Sequence, residues 1–260
     1  MSPPERVPET FVAIVLAAQR AGVENPLAAA HGVSHKCLVP IGGRPLIAHV
    51  LATLAAIPDC RAIRVVIEDE AVAAVRPLVQ GMPVAFVTAK HTLTDSVFAA
   101  ATGNGPFVVT TADNVLMTPA SVDAVRAAMA DGADVAVALT TRDAVLAAHP
   151  EGQRRFYELK DAGYANCNLY GLRDAKALKA AEVFRGGGQF AKNPGRLVRA
   201  FGVWNIVLLR LRLVTARQAM VRISRRFGLD VRAVTLADGS QAVDVDNERT
   251  YRVVEALLPS

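Results

Sequence analysis

The first 140 residues alternate short apolar runs with helix-like segments, and this alternation constrains the fold more than any other feature of the sequence. Strand–helix–strand units connect with one hand and place their strands in parallel, so the pattern predicts an α/β fold with a mainly parallel sheet. The predicted strands cover 11–18, 62–67, 84–88, 107–111 and 134–140, and the predicted helices cover 46–57, 70–79, 95–101 and 121–130.

The pattern changes after residue 140. We predict short strands at 156–159 and 168–172 around a turn at 161–163, a helix at 173–184, a glycine break at 185–188, two or three helices within 197–227, strands at 231–236 and 241–246, and a final helix at 247–257. The sequence has no internal repeat and no low-complexity linker. We therefore expect one domain over 1–260, in which 141–229 forms a helical insertion.

The composition is that of a chain that buries a core. Its 260 residues are 52% hydrophobic, which excludes a wholly disordered protein. The three cysteines lack zinc-ligand spacing and are too few for a disulfide scaffold. The first apolar run is too short to cross a bilayer, and the leader before it lacks the basic front of a signal peptide. A cytoplasmic location is the expectation.

Polar residues that could carry chemistry follow the predicted strands. In an open parallel sheet, ligands bind beyond the carboxyl ends of the strands, where loops meet helix N-termini. Four groups occupy such places: the loop from Ala17 to Lys36, which contains Arg20; Asp95 and Ser96 at a helix start; Asp113 after the fourth strand; and Asp244 with Asp246 in the last strand.

Three of these aspartates suit a metal ion. A strand places residues two apart on one face, so Asp244 and Asp246 would point the same way. With Asp113 across the sheet they would form an oxygen site for Mg²⁺, and Arg20 and Lys36 could neutralise a triphosphate. The alternative for each aspartate alone is a helix cap or a turn residue.

Several common motifs are missing from the sequence. It has no G-x-x-x-x-G-K-[ST] phosphate loop, no G-x-G-x-x-G after the first strand, no G-x-S-x-G and no H-E-x-x-H. These absences argue against a P-loop enzyme, a dinucleotide fold of the usual type, a serine hydrolase of the elbow type and a zincin protease.

Two stretches carry a resemblance to a known family. Leu16–Arg20 reads L-A-A-Q-R and His35–Leu46 reads H-K-C-L-V-P-I-G-G-R-P-L, which together resemble the MobA-like nucleotidyltransferase superfamily. Its signature is an LAAG loop, an arginine, a later lysine and a G-x-P-L helix start. Asp95–Val97 resembles the D-S-V helix start near base and ribose in some members, and Asp113 resembles the family's metal-binding aspartate.

The end of the chain resembles a narrower group. Asp244–Glu248 is similar to the D-x-D-T-P-E-D ending of several cytidylyltransferases, although Asn247 replaces the threonine and no proline follows. A second departure lies in the first loop, where Gln19 replaces the family glycine, whose missing side chain lets backbone approach phosphate.

The resemblance implies a fold and a reaction. The fold would be a three-layer α/β/α sandwich with a Rossmann-like sheet of the nucleotide-diphospho-sugar transferase type. The reaction would transfer an NMP, with CMP favoured and GMP as the other choice, from Mg-NTP to a phosphorylated small-molecule acceptor, releasing pyrophosphate. Two other functions stay open: a GT-A-like glycosyltransferase that uses a nucleotide sugar, and a non-catalytic nucleotide-binding relative.

The resemblance also assigns roles to residues. Arg20 would hold the β- and γ-phosphates, and Lys36 would stabilise the α-phosphate and the leaving group. The nucleotide would contact Leu16, Ala17, Ala18, Gln19, Asp95 and Ser96, and Mg²⁺ would bind Asp113, Asp244 and Asp246. The acceptor is expected in the middle segment, whose cations suit a phosphate, with contacts to Asn168, Lys192, Arg196 and Arg199.

The charge of the chain is concentrated in one segment. Residues 185–232 hold eleven Lys and Arg and one acid, Asp230, and so carry +10 within a chain of net +5. We favour a cap whose cations reach the acceptor phosphate; peripheral contact with an anionic membrane and a solvated basic face are the alternatives. Few aromatic side chains are present for base stacking, so nucleic acid is not an expected partner.

Overall fold

An eight-stranded mixed sheet forms the centre of the protein. The structure is a computed structural model, and it describes residues 10–19, 24–178, 207–208 and 210–258. The strand order is β10-β7-β9-β6-β1-β4-β5, and β8 pairs with β9. These strands are β1 (Phe11–Leu16), β4 (Cys60–Ile67), β5 (Val84–Thr88), β6 (Phe107–Thr111), β7 (Val135–Thr141), β8 (Tyr157–Glu158), β9 (Gly163–Leu172) and β10 (Val231–Leu236), and a separate hairpin joins β2 (Pro40–Ile41) to β3 (Arg44–Pro45).

The sheet is mainly parallel, as the alternation predicts. The pairs β1–β4, β1–β6, β4–β5 and β7–β10 are parallel. The exception is β9, which inserts between β6 and β7 and runs antiparallel to both. The carboxyl ends of β1, β4, β6, β7 and β10 therefore share one edge of the sheet, which we call the carboxyl edge.

Helices cover both faces of the sheet. Their bounds are α1 (Pro26–Ala30), α2 (Leu46–Ala55), α3 (Asp69–Val75), α4 (Leu93–Ala100), α5 (Pro119–Ala130), α6 (Arg142–Ala148), α7 (Ala216–Phe227) and α8 (Glu248–Leu257). One core cluster joins the sheet to α2, α3, α5 and α6, and a second joins the other face to α4 and α7. Two cores on opposite faces make the predicted three-layer α/β fold.

The burial of β1 explains why its sequence is continuously apolar. Its alternate residues Ala13 and Val15 pack into one core, and Val12 and Ile14 pack into the other. A strand buried on both faces in this way needs a continuous apolar sequence.

The prediction of a strand at 241–246 is wrong. Gly239–Ala242 is a short 3₁₀ helix, and the residues that follow it form no strand. The apolar alternation there has another cause: Val243 and Val245 bury their side chains in a third cluster, with residues of α8, instead of facing a sheet. The period-2 pattern reports side-chain burial in this segment and not strand pairing.

The helix predicted at 173–184 is not seen in the part that is described. The carboxylate of Asp174 accepts hydrogen bonds from the backbone N–H groups of Lys176 and Ala177 and closes a turn, which a 3₁₀ turn follows at 177–178. Residues 179–184, the glycine break at 185–188 and all of 197–206 lie outside the described residues. Within 197–227, the described helical residues are 207–208, 210 and those of α7.

Within the described ranges, no helix is long and apolar enough to cross a membrane. The single-domain organisation with an insertion at 141–229 stays a prediction.

Candidate functional site

Three predicted site residues from distant parts of the sequence meet at the carboxyl edge. Lys36 opens a short 3₁₀ helix in the segment after α1, Asp113 follows β6, and Asp246 precedes α8. The Lys36 ammonium donates hydrogen bonds to Asp246 Oδ1 at 2.6 Å and to Asp113 Oδ2. Lys36 and Asp246 are 210 residues apart in the chain, so tertiary folding alone brings them together.

The electrostatics of this group favour the charged lysine. The Lys36 side chain is 19% exposed and that of Asp113 is 15% exposed, whereas Asp246 is 66% exposed. Desolvation lowers the pKa of Lys36, but the carboxylates of Asp113 and Asp246 together outweigh it and hold that pKa above its ordinary value. The charged Lys36 ammonium thus lies between two carboxylates at the carboxyl edge.

Asp244 lies near this group but differs from Asp246 in its exposure to solvent. The predicted shared strand face does not exist, because Asp244 is buried and Asp246 is exposed. Burial, and then the carboxylates of Asp113 and Asp246, raise the pKa of Asp244 well above its ordinary value. The side-chain amide of Asn168 donates to Asp244 Oδ2.

The carboxylates fit a divalent cation by their donor chemistry. Asp113 Oδ1 and Asp244 Oδ1 are buried and accept no hydrogen bond within the described structure. Buried oxygens of this kind normally have a partner, and carboxylate oxygens are the ligands that Mg²⁺ prefers. As the side chains stand, the described residues contain no set of three acids, histidines or cysteines close enough to hold a metal. The Lys36 ammonium contacts both Asp113 and Asp246.

The loop after β1 lies along the same edge. Gln19 donates its backbone N–H to Glu68 Oε1 at 2.8 Å, and its side-chain amide donates to the Ser34 carbonyl at 3.2 Å. Gln19 therefore ties the loop both to the end of β4 and to the segment that carries Lys36. Arg20 lies outside the described residues, so its predicted phosphate contact has no structural counterpart here.

The sequence as a whole matches a family over most of its length. The MobA-like NTP transferase domain matches residues 13–190. The chain belongs to the MobA-like NTP transferase family. The resemblance drawn from the two N-terminal stretches is thereby confirmed.

This member of the MobA-like family is similar in structure to solved transferases. A hypothetical transferase from Thermus thermophilus is 26% identical, with a TM-score of 0.77 over 93% of this chain and 99% of that one. A CMP:2-keto-3-deoxy-manno-octonic acid synthetase complexed with CTP is 17% identical, with a TM-score of 0.59 over 96% of this chain and 98% of that one. No curated protein matches the chain in sequence.

A further similar structure is a 4-diphosphocytidyl-2C-methyl-D-erythritol synthase from Anaerococcus prevotii. It is 11% identical, with a TM-score of 0.59 over 96% of this chain and 98% of that one. At such identity the likeness establishes the fold, which is the nucleotide-diphospho-sugar transferase type that the sequence predicted.

The other residues predicted to contact the nucleotide lie at the same edge, and the polar ones make hydrogen bonds with the local backbone. Leu16 ends β1, the buried Ala17 follows it, and Ala18 is exposed. Asp95 and Ser96 lie in the first turn of α4: the Asp95 N–H donates to the capping hydroxyl of Thr92, and the buried Ser96 hydroxyl accepts from the Lys90 N–H at 2.9 Å.

The predicted acceptor residues are mostly outside the described part of the chain. This applies to Lys192, Arg196 and Arg199, whereas Asn168 lies in β9 beside Asp244. A cavity of about 610 Å³ opens beside α7, and its described lining includes Arg217, Arg222 and Arg225 with two leucines and two valines.

Sequence reasoning missed the polar residues that support the carboxylates. Asn166 and Tyr170 lie on either side of Asn168 in β9, and the Asn166 amide donates hydrogen bonds to the Tyr170 hydroxyl and to Asn168 Oδ1. The available signal was the alternate spacing of Asn166, Asn168 and Tyr170, which places them on one face of a strand. The predicted strand began at 168 and so left Asn166 out. Glu68, which accepts from Gln19, gave no such signal because an acid before a helix is common.

Proposed function

We propose that this chain is a Mg²⁺-dependent nucleotidyltransferase that transfers an NMP from an NTP to a phosphate-bearing small molecule and releases pyrophosphate. The observation that carries the proposal is the Lys36 ammonium fixed between Asp113 and Asp246 at the carboxyl edge, in a member of the MobA-like NTP transferase family. The charge pattern suits a triphosphate, since phosphoryl transfer depends on positioning and charge neutralisation more than on a protein nucleophile.

The site residues divide the tasks of this reaction among them. An acceptor phosphate oxygen attacks the α-phosphorus, the bond from that phosphorus to the bridging oxygen breaks, and pyrophosphate leaves. Lys36 neutralises charge on the α-phosphate and the leaving group. Asp113, Asp244 and Asp246 would hold Mg²⁺, which when bound neutralises phosphate oxygens. Arg20 is assigned to the β- and γ-phosphates on the strength of the family resemblance.

The loop after β1 would receive the triphosphate. Binding there requires the Gln19 N–H to exchange its Glu68 partner for a phosphate oxygen, because a single N–H is already engaged. Asp95 and Ser96 are assigned to the nucleotide side of α4, near base or ribose.

CTP is the favoured nucleotide and GTP is the second choice. The preference rests on the Asp244–Asp246 ending, which is similar to that of cytidylyltransferases. Two proteins of the same fold are described as a synthetase complexed with CTP and as a diphosphocytidyl-methylerythritol synthase, which supports the preference.

The acceptor is assigned to the basic segment. Lys192, Arg196 and Arg199 are the proposed contacts, and the arginine-lined cavity beside α7 supplies further positive charge for a phosphate. Peripheral contact of the 185–232 segment with an anionic membrane is the alternative use of that charge, and a cytoplasmic location is proposed for the protein.

The test begins with a thermal-shift screen of the common NTPs and nucleotide sugars, each with Mg²⁺ and with EDTA. A ligand that binds only the folded state raises the melting temperature by mass action. We expect CTP with Mg²⁺ to give the largest shift, and pyrophosphate to appear when sugar phosphates and alcohol phosphates are added. Asp246→Ala should abolish this release, while the control Asp131→Ala, an exposed acid away from the carboxyl edge, should not.

Other results would contradict the proposal. A shift with nucleotide sugars and no pyrophosphate from any NTP would indicate a glycosyltransferase. Nucleotide binding without turnover for every acceptor class, or no binding at all, would indicate a non-catalytic relative.

A further inference from the structure

The strand β9 is interrupted at the point where it passes the carboxylates. Its pairing with β7 shifts: Val137 faces Tyr170, but Leu139 faces Asn166, so β9 holds two more residues than β7 over this stretch. Asn168 lies within this bulge and has a φ of 46°, a left-handed conformation that among the described non-glycine residues only Arg212 shares. Bulges of this kind redirect side chains, and such backbone strain is concentrated at functional sites.

The side chain of Asn168 is oriented by its neighbours. The Asn166 amide donates to Asn168 Oδ1 at 2.8 Å, and the Asn168 N–H donates to Asn166 Oδ1 at 3.3 Å. The Tyr170 hydroxyl accepts a further hydrogen bond from Asn166. Because Oδ1 of Asn168 already accepts from Asn166, its amide nitrogen is the group left to face Asp244.

The backbone around Asn168 is also fixed. The Asn114 amide donates to the Cys167 carbonyl at 3.0 Å, and Cys167 and Leu169 bury their side chains in the core on the opposite face. The strained residue is therefore held on both sides by buried neighbours, and its amide has little freedom to turn away from Asp244.

The fixed Asn168 amide makes the two oxygens of Asp244 differ. Oδ2 accepts from the Asn168 amide, whereas Oδ1 is buried without a partner, as is Asp113 Oδ1. A hydrogen bond to one oxygen fixes the plane of a carboxylate and so the direction of the other oxygen.

We infer that Asn168 is a positioning residue that fixes the Asp244 carboxylate so that its Oδ1 binds the divalent cation. The inference rests on the proposed function, because it assigns Asp244 to a cation site. It also gives Asn168 a role different from the acceptor contact that the sequence suggested. A purely structural alternative is that Asn168 only supplies a hydrogen bond to a buried carboxyl group.

The direct test measures cation binding without turnover. The probe is Mn²⁺ together with an α,β-methylene analogue of CTP, followed by the loss of the free Mn²⁺ signal in electron paramagnetic resonance, with the GTP analogue as a second arm. Asn168→Gly removes the amide but keeps a backbone that adopts a φ of 46° without strain. We expect Mn²⁺ affinity to fall about 10- to 100-fold, as for other residues that orient metal ligands.

A matched control and a thermal measurement separate positioning from folding. Asn104→Gly makes the same substitution in an exposed loop before β6, at the opposite edge of the sheet, and should leave Mn²⁺ affinity unchanged. Asn168→Ala should lower the melting temperature more than Asn168→Gly, because only alanine is strained at this φ.

A double-mutant cycle decides between the two roles. In an Asp244→Asn background, Asn168→Gly should have little further effect on Mn²⁺ affinity, since the residue acts through Asp244. Parental Mn²⁺ affinity in Asn168→Gly, or an equal loss with and without Asp244, would overturn the inference while leaving the proposed function intact. A parent protein that neither binds Mn²⁺ with either analogue nor releases pyrophosphate would overturn both.

Discussion

Replacing Lys36 by methionine tests whether its ammonium occupies the position of a cation among three carboxylates. Methionine keeps a similar length and apolar stem but removes the charge. Asp113 and Asp246 then lose their shared cation, and Asp244 stays buried beside them. In the metal-free protein the carboxylates would repel one another, so the folded state should be destabilised.

The magnitude follows from the exposure of each partner. Breaking a fully buried ion pair costs about 3–5 kcal/mol, and an exposed pair contributes about 0–1 kcal/mol. Lys36 and Asp113 are 19% and 15% exposed, so the free energy lost with the Lys36–Asp113 pair should lie somewhat below that of a fully buried pair. Asp246 is 66% exposed, so the loss of the Lys36–Asp246 pair should cost about as much as that of an exposed pair. We therefore expect a loss of about 3 kcal/mol in total. At roughly 2–4 °C per kcal/mol for a chain of this size, the melting temperature should fall by about 6–12 °C.

The response to Mg²⁺ distinguishes this explanation from a general loss of packing. Because the ammonium no longer competes for the carboxylates, Mg²⁺ should raise the melting temperature of Lys36→Met more than that of the parent. Turnover should nevertheless fall by about 10²–10³-fold, as when one preorganised charge is removed from a transition-state site. Lys176→Met, an exposed lysine away from the carboxyl edge, is the control and should change neither quantity.

The assays are differential scanning fluorimetry across a Mg²⁺ titration and pyrophosphate release with the preferred NTP. Near-parental stability of metal-free Lys36→Met, or a Mg²⁺ response no larger than that of the parent, would refute the idea that Lys36 substitutes for a cation. Near-parental turnover would separately refute its catalytic role.

Three further predictions concern the surroundings of the site. Asp244→Asn replaces a buried carboxyl group, whose charged form is disfavoured by burial and by two neighbouring carboxylates, with a neutral amide. Urea unfolding of the metal-free protein should therefore show a gain of about 1–2 kcal/mol while Mg²⁺-dependent turnover falls; a loss of stability would contradict this. Gly239→Ala places a Cβ against the main chain of Ala144, so the turn leading to Asp244 must shift; we expect a loss of about 1–3 kcal/mol with lower turnover, and parental values in both assays would exclude the clash. Burial, and then the Glu68 carboxylate, raise the pKa of Cys37 from 9.0 to about 12, so its contribution to stability is complete below pH 9 and is lost as the pH rises towards 12. Thiol titration at neutral pH should accordingly find Cys37 unreactive until the protein unfolds, and fast labelling of the native protein would contradict its burial.

The sequence by itself determined the elements whose signals are local. The buried run of β1 is continuous because both faces of that strand are covered, and the alternation of strands with helices left few arrangements other than a parallel sheet. It also placed Lys36 and Asp113 at an edge where ligands bind, since the carboxyl ends of parallel strands must lie together.

Tertiary structure decided the features that depend on partners far along the chain. No local pattern tells that β9 inserts antiparallel between β6 and β7, or that its extra residues turn Asn168 towards Asp244. The valine–aspartate alternation before α8 resembled a strand, but its valines pack beside α8, so one aspartate is buried and the other reaches Lys36. The physical reason is that the spacing of apolar residues shows which side chains of a segment are buried. It does not show which other part of the chain buries them, because that depends on how the whole chain packs.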